Sequence, residues 1–555
     1  MKKTGSIIFT VLMLVSWNVF SQASAPFTKG VHFNMWFEQN CNNAQEISFK
    51  RYVEQDFADV KKMGVDVIRL PIDFFLFTSG PGYIIDPFLF KLLDKAVDWA
   101  EKYQINIILN NQPADQPPVS SDYRIFLLSV WTQMADHYKN RSEYVIYEIL
   151  NEPNRITADV WGNMQGDVIN AIRKIDKNHW IVVSGVHTGD NAVEQLFLLP
   201  KYEDNKLLYT FHFYDPAIFT HQGATLLTEP LLASLSKIPF PYDKKRMPSI
   251  PKGVKKGSYV ENQFKNYSKI GTTAALEKII GQAADFAKQR NVPVFCGEFS
   301  VYMNNVLPED RLRWYKFVKE AFEARNISWI TYGYYDPFGI FNPPNGVVTW
   351  WIFPRDINTD LNVELVRALG LNPPPQRQRE PLRESFIIYD DYLSRGSTVY
   401  SGKQNTLNFY YTPTAAGEYA IQWGNIKNNG DSIIINLPIN DFTYLAQNGF
   451  VLEFKAKTEK PVSFNLNFGN KDKNITWHNA YYIDKAQLPP DGKWHTIRIP
   501  LRDMEVWGGW DDAKNQDADP KGRAATWANI AHLQMIMWVK DDVWEIFFDD
   551  IKITK

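Results

Sequence analysis

Cysteine is nearly absent: Cys41 and Cys296 are the only two in a chain of 555 residues. That excludes a disulfide scaffold. A bond between the two is not expected, because Cys296 lies in an apolar run where a buried thiol is the ordinary state. Histidine is also scarce, nine residues with no His-Glu-x-x-His spacing, so no metal and no cofactor is expected. Neither sign of charge is in surplus. The net charge is −2, and nothing electrostatic draws the chain to nucleic acid or to an anionic membrane. Long apolar runs are missing after the N-terminus, which leaves no membrane anchor. The chain start is the exception: Lys2 and Lys3, an apolar stretch over 7–19, then Ala23-Ser24-Ala25. This pattern predicts a cleaved signal peptide over 1–25 and a secreted or periplasmic protein. Nothing in the sequence asks for an oligomer, and a monomer is expected.

Aromatic residues, by contrast, are plentiful at 15%, with 18 Trp and 27 Tyr. They fill cores and interfaces, and they also suit the CH-lined face of a pyranose ring. The length calls for more than one domain. From 30 to 371 short strands rich in Val and Ile alternate with amphipathic helices. Strands are expected at 31–37, 65–70, 105–110, 144–151, 181–184, 207–214, 292–298 and 328–332, apolar on both faces as parallel strands under helices must be. One helix is read from Phe49, Tyr52, Val53, Phe57, Val60 and Met63, another from Leu89, Leu92, Leu93, Ala96, Val97 and Ala100 behind Asp86-Pro87. Eight such units predict an α/β fold, a (β/α)8 TIM barrel over 26–371. A Pro-rich stretch over 372–385 reads as a stiff linker. Beyond it the period falls to two residues, which predicts an all-β jelly-roll sandwich over 386–555. The long connection over 215–271 is either a wall of the cleft or a surface excursion.

Two apolar runs end in carboxylates. Val145-Ile146-Tyr147-Glu148-Ile149-Leu150-Asn151 leads to Glu152-Pro153, and Pro293-Val294-Phe295-Cys296-Gly297 leads to Glu298. Burying a carboxylate is unfavourable without partners, so two at strand ends point to chemistry rather than packing. Arg69, Asn110, Glu152, His187, Tyr214, Glu298 and Tyr332 all fall at or just past C-terminal strand ends, the catalytic face of such barrels. A pair of carboxylates there is what glycosidic cleavage needs, one as acid and one as nucleophile or base.

With these residues in order, the region 30–371 resembles glycoside hydrolase family five, the family of many cellulases and mannanases. Asn151-Glu152-Pro153 is similar to its strand-four motif, which implies Glu152 as acid/base and Asn151 on the sugar 2-hydroxyl. Gly297-Glu298-Phe299 is similar to the strand-seven motif and implies Glu298 as nucleophile. Arg69-Leu70-Pro71 resembles the strand-two arginine that hydrogen-bonds the nucleophile, and Phe211-His212-Phe213-Tyr214 resembles the strand-six His and Tyr, which implies that Tyr214 touches the nucleophile. Two positions depart from the pattern. Gln112 stands where a His is usual after strand three, and Tyr332 where a Trp usually floors the cleaved subsite.

The resemblance implies a retaining β-glycanase acting by double displacement on a polysaccharide, with β-glucan and an endo-β-1,4-glucanase activity first. β-Mannanase, mixed-linkage glucanase and xyloglucanase are the alternatives, and a non-catalytic carbohydrate-binding barrel is the rival of another class. Glu152 is expected to have a raised pKa. Trp36, Gln112, His187 and Tyr332 are expected to bind substrate. The C-terminal domain resembles carbohydrate-binding jelly rolls in architecture. Trp494, Trp538 and Trp544 are expected in its core, and Trp507 and Trp510 in a glycan-contacting loop.

Overall fold

A computed structural model describes residues 23–555 apart from 39–40, 114–120, 188–191, 225–229, 344–355, 396, 402–404, 428–429, 473 and 539–543. Most of the expected signal peptide, residues 1–22, thus lies outside the described residues. No helix among them is long and apolar enough to cross a membrane.

Eight parallel strands close into a barrel: β1 (Lys29–His32), β2 (Val67–Ile72), β3 (Asn106–Asn111), β4 (Val145–Glu148), β5 (Trp180–Ser184), β6 (Leu207–Phe213), β7 (Val294–Phe299) and β8 (Ser328–Thr331). One side chain from each of seven strands fills the lower interior: Val67, Ile108, Ile146, Val182, Leu208, Phe295 and Ile330. Phe27 closes this layer from below, its ring edge-on to Phe295 at 5.2 Å. The barrel is therefore a packed core, and only its upper rim is open to chemistry.

The expected strands are all present, with differences at their ends. β1 stops at His32 rather than at residue 37, and β4 stops at Glu148 rather than at residue 151. In both places the chain leaves the ladder to place polar side chains at the rim. The second expected helix is Pro87–Lys102 (α2), capped by Asp86, which accepts from the Phe88 N–H at 2.8 Å. The first is shorter than its apolar stripe implies. It runs over Glu54–Met63 (α1), because the Asp56 carboxylate accepts the Val53 N–H at 2.8 Å and starts the helix there.

The C-terminal domain is a sandwich of two antiparallel sheets. One sheet joins β9 (Phe386–Tyr389), β11 (Thr406–Tyr411), β12 (Ala420–Ile426), β14 (Val451–Lys457), β17 (His495–Pro500) and β21 (Trp544–Thr554). The other orders β10 (Thr398–Ser401), β13 (Ser432–Asn440), β20 (Ile530–Met537), β15 (Phe464–Asp472), β16 (Ile475–Ile483), β18 (Glu505–Asp511) and β19 (Gln516–Ala518). Phe454, Phe464 and Phe548 meet between them. Trp538 departs from expectation: it points out of the seven-stranded sheet and is 41% exposed.

The linker is not a free spacer. The Asn372 N–H donates to the Met63 carbonyl at 2.9 Å, and Arg377 pairs with Asp356 at 3.1 Å, so the segment lies along the barrel. The sandwich then docks on the side of α1 and α2. Phe88 packs against Tyr410 at 4.7 Å and Phe49 against Tyr392 at 5.7 Å. Polar contacts surround them: Tyr410 Oη donates to the Ile47 carbonyl at 2.5 Å, Lys95 Nζ to Tyr392 Oη at 2.7 Å, and Lys50 pairs with Asp390 at 2.8 Å. One apolar cluster runs unbroken from the barrel helices into the sandwich. The two domains are thus expected to melt in one calorimetric transition. A chain ending at Asn372 exposes Phe49, Phe88 and their neighbours and is expected to lose solubility or melt several degrees lower, which light scattering and thermal unfolding measure.

Candidate active site

Alternation along a strand returns every second side chain to the barrel interior. Counting upward from the apolar layer, Val67 is followed by Arg69, Ile108 by Asn110 and then Gln112, and Ile146 by Glu148. Leu208 leads to Thr210, His212 and Tyr214, and Ile330 to Tyr332. The polar rim is the continuation of the core layer.

Glu298 breaks this count. Phe295 is interior, so Gly297 would be next and Glu298 would face outward. The ladder slips there: Phe211 pairs with Cys296 but His212 pairs with Glu298. Gly297 is therefore the extra residue of a bulge that turns Glu298 inward. A Cβ on Gly297 would lie 2.5 Å from Thr210 Oγ1 and 3.1 Å from His212 Nε2. Glu152 arrives by a different route. It sits past the end of β4 with φ of 42°, a left-handed conformation rare in residues other than glycine and common at functional sites.

Arg69, fully buried, ties these strands together. Its Nε and Nη2 donate to the two oxygens of Glu148, both at 2.7 Å. Nη1 donates to Glu298 Oε1 at 2.6 Å, and Nη2 also reaches Asn151 Oδ1 at 2.8 Å. Burial alone would lower the guanidinium pKa, but Glu148 and Glu298 outweigh this and raise it. The other oxygen of Glu298 accepts from Tyr214 Oη at 2.8 Å. His212 Nδ1 lies 2.6 Å from Glu152 Oε1 and 3.5 Å from Glu298 Oε2. His187 Nδ1 is 3.7 Å from the same Glu152 oxygen. One atom each from Glu152, His212 and Glu298 falls within a 4.8 Å cluster. Such a trio has metal-ligand spacing, but Arg69 already lies against Glu298, so a cation there would face a guanidinium. The set suits proton transfer better.

The electrostatics correct one expectation. Burial pushes Glu152 upward, but the His212 hydrogen bond and the charges of His187, His212 and Arg69 outweigh it, so its pKa is lowered rather than raised. For His212 burial pushes the other way, and the charges of Glu298 and Glu152 prevail to raise its pKa above 6.5. The proton of this pair is thus favoured on the imidazole. For His32 and His221 burial prevails, although Glu152 opposes it at His221. His32 is lowered well below its usual value, with Arg69 and His212 adding to the effect, and His221 falls to about 4.

Most of the expected site residues converge. Arg69, Asn151, Glu152, His187, His212, Tyr214 and Glu298 form one hydrogen-bonded and ionic set. Gln112 accepts from Asn110 Nδ2 at 2.8 Å on the same face. Tyr332 stands half-buried at the top of β8, edge-on to His32 at 4.8 Å and to Phe338 at 5.6 Å. Trp36 does not belong. It is buried at 2% exposure, its Nε1 donates to the Phe49 carbonyl at 2.9 Å, and its indole stacks on Trp99 at 6.4 Å. It therefore supports the domain interface, not the cleft. Glu148 was missed. Its signal is a carboxylate two residues above Ile146, on the inward face of a strand that is otherwise apolar.

Residues 28–336 match the sequence profile of the family described as cellulase (glycosyl hydrolase family 5). Endoglucanase 3 of Fibrobacter succinogenes is 31% identical over 342 residues, 56% of this chain and 50% of that protein. Endoglucanase C of Acetivibrio thermocellus is 25% identical over 324 residues, 56% of this chain and 91% of that protein. Endoglucanase H of the same organism is 23% identical over 489 residues, 81% of this chain and 46% of that protein, so this match runs past the barrel into the sandwich. The matched region thus spans half of Endoglucanase 3 and less of Endoglucanase H.

The bulge gives a sharp test. Gly297→Ala places a methyl group against Thr210 and His212, and is expected to destabilise the fold by about 1–3 kcal/mol. Activity should fall further than that instability explains, because His212 and Glu298 are both displaced. Denaturant unfolding and kinetics on the same preparation separate the two effects.

Proposed function

Because the chain belongs to the cellulase family, glycosyl hydrolase family 5, and is a glycoside hydrolase, we propose that it is a secreted endo-β-1,4-glucanase acting by double displacement. The observation that carries the mechanism is the 4.8 Å cluster of Glu152, His212 and Glu298. Retaining enzymes hold their carboxyls about 5–5.5 Å apart, whereas inverting ones leave about 6.5–9.5 Å for a water.

In the first step a Glu298 oxygen bonds to the anomeric carbon while the glycosidic C–O bond breaks. Glu152 gives its proton to the departing oxygen. Arg69 and Tyr214 hold the two Glu298 oxygens and so aim the nucleophile. In the second step water attacks the same carbon, Glu152 takes its proton, and the bond to Glu298 breaks. His212 supplies the proton store. It carries the proton while Glu152 is a carboxylate, and returns it as the leaving oxygen develops charge. Asn151, oriented by Arg69, takes the 2-hydroxyl, Tyr332 stacks beneath the sugar at the cleaved bond, and Gln112 and His187 line the sides. A glucan is favoured because the matched relatives are named endoglucanases.

The sandwich contributes a second contact with the polymer. The outer face of its seven-stranded sheet carries Tyr400, Ile434, Gln534, Asn467 and Ala480 in one cross-strand row. Asn436, His532, Gly469 and His478 form the next row. Within these stretches no side chain is charged at neutral pH, and the first row ends on β18 at the exposed carboxylate Glu505. Asn467 Oδ1, Gln534 Oε1 and His532 Nε2 are buried atoms with no hydrogen-bond partner among the described residues. Trp507, Trp510 and Tyr482 stand exposed at the border. Trp507 and Trp510 lie on strand β18 rather than in a loop, with Trp507 near-parallel to Tyr482 at 6.5 Å. Uncharged hydrogen-bonding groups beside exposed rings suit a neutral polyol, here a β-glucan chain.

Glu298→Gln should abolish hydrolysis by roughly 10³-fold or more while leaving the fold intact. Wild-type enzyme should release the β-anomer first, as NMR of fresh product detects; α-anomer first would refute double displacement. A panel of glucan, mannan and xyloglucan with product sizing tests the substrate. The raised His212 pKa keeps the shared proton bound to a pH above about 6.5, so the alkaline limb of kcat/KM should lie above that value and activity should fall as pH rises through it. Joint Trp507→Ala and Trp510→Ala should weaken retention on insoluble glucan about tenfold or more and leave turnover of short soluble substrates unchanged.

A further inference from the structure

Arg395 stands in the sandwich, in the turn after β9, yet its guanidinium reaches into the barrel. Its Nη2 donates to Asp56 Oδ1 at 2.5 Å and lies 3.4 Å from the Tyr335 hydroxyl. Tyr335 donates to that same Asp56 oxygen at 2.6 Å. Asp56 is fully buried, and its other oxygen is the one that caps α1 through Val53. A buried carboxylate needs a cation or several donors. Here the cation comes from the other domain.

Tyr335 belongs to the segment after β8 that carries Tyr332. Its ring stacks on Tyr52 at 5.4 Å, and its carbonyl accepts from Arg51 Nη2 at 3.5 Å. Arg51 Nε and Tyr52 Oη both donate to the Asn34 carbonyl, at 3.3 and 3.0 Å. The Asn34 side chain donates to Asp336, which also accepts the Phe338 N–H at 2.6 Å. The Phe338 ring meets Tyr332 edge-on at 5.6 Å and Tyr214 at 6.2 Å. The residues that flank Tyr332 are therefore held by one connected set, and Arg395 is its outermost member.

We propose that Arg395 is a positioning residue for the active site: through Asp56 and Tyr335, the sandwich holds the segment that presents Tyr332 to the sugar. The proposal rests on the reading of Tyr332 as the sugar platform and Glu298 as the nucleophile. It makes the sandwich part of the catalytic unit on any substrate, including one too short to need retention on a polymer.

The test is steady-state kinetics of full-length variants on cellotetraose, well below the melting temperature of each. Arg395→Ala is expected to lower kcat/KM about tenfold, mainly through KM, as a displaced platform weakens binding. Arg395→Lys keeps the charge without the fork and should recover part of the loss. Tyr335→Phe removes one hydroxyl from the same set, so its effect and that of Arg395→Ala should be less than additive. Lys91→Ala is the control. Lys91 pairs with Glu418 at 3.0 Å across the same interface and touches nothing in the set, so its kinetics should stay within about twofold of wild type. Wild-type kinetics for Arg395→Ala, an equal loss from Lys91→Ala, or strict additivity with Tyr335→Phe each overturns the proposal. Should Arg395→Ala fail to fold, wild-type kinetics for Tyr335→Phe overturns it instead. Glu298→Gln run alongside separates the layers: an active Glu298→Gln means the underlying reading has failed, whereas an inactive one with wild-type Arg395→Ala sinks only the positioning role.

Discussion

The Arg69 guanidinium lies out of water between three barrel strands and faces two carboxylates, Glu148 and Glu298. Two like charges in that interior would repel each other. The planar fork of arginine satisfies both, with two donors on Glu148 and one on Glu298, and still reaches Asn151. Lysine has a single ammonium and could not span these directions. Three further parts of the site depend on this ion: Glu298 is held by it, Asn151 is oriented by it, and His32 is kept neutral partly by its charge.

His212 is the second hinge of the electrostatics. It sits between Glu152 and Glu298, close enough to each for its own pKa to rise while that of Glu152 falls. In the proposed mechanism Glu152 needs no raised pKa of its own, because a neighbouring imidazole holds the proton within 2.6 Å. The arrangement differs from a lone acid in an apolar pocket, where burial alone does the tuning.

Much of this was legible because barrel geometry is periodic. The alternation that marks Val67 and Ile108 as interior also marks Arg69 and Asn110, and all eight strands were visible as apolar runs; Glu148 follows Ile146 by the same count but was overlooked inside its apolar run. What failed were the places where the period breaks or where the partner is remote. Glu152 lies 60 residues from His212, so its lowered pKa could not be read locally. Trp36 follows Met35, whose φ of 59° turns the chain away from the cleft, and its packing partners Phe49 and Trp99 come from the outer helices. Nothing in the local sequence says that a second domain seals that side. The same is true of the 372–385 segment, whose prolines read as a spacer although its polar groups bind the barrel.

The aromatic seam between the domains also bears on how such a chain can evolve. Carbohydrate-active modules joined by loose tethers can be shuffled one at a time, since each carries a complete surface. Here Phe49 and Phe88 are finished by Tyr392, Tyr410 and Tyr419 of the neighbouring domain, and Asp56 by Arg395. A recombination event that moved the barrel alone would deliver an unfinished hydrophobic flank and a buried acid without its cation. In this chain each domain finishes the other's surface, so neither is a self-contained module.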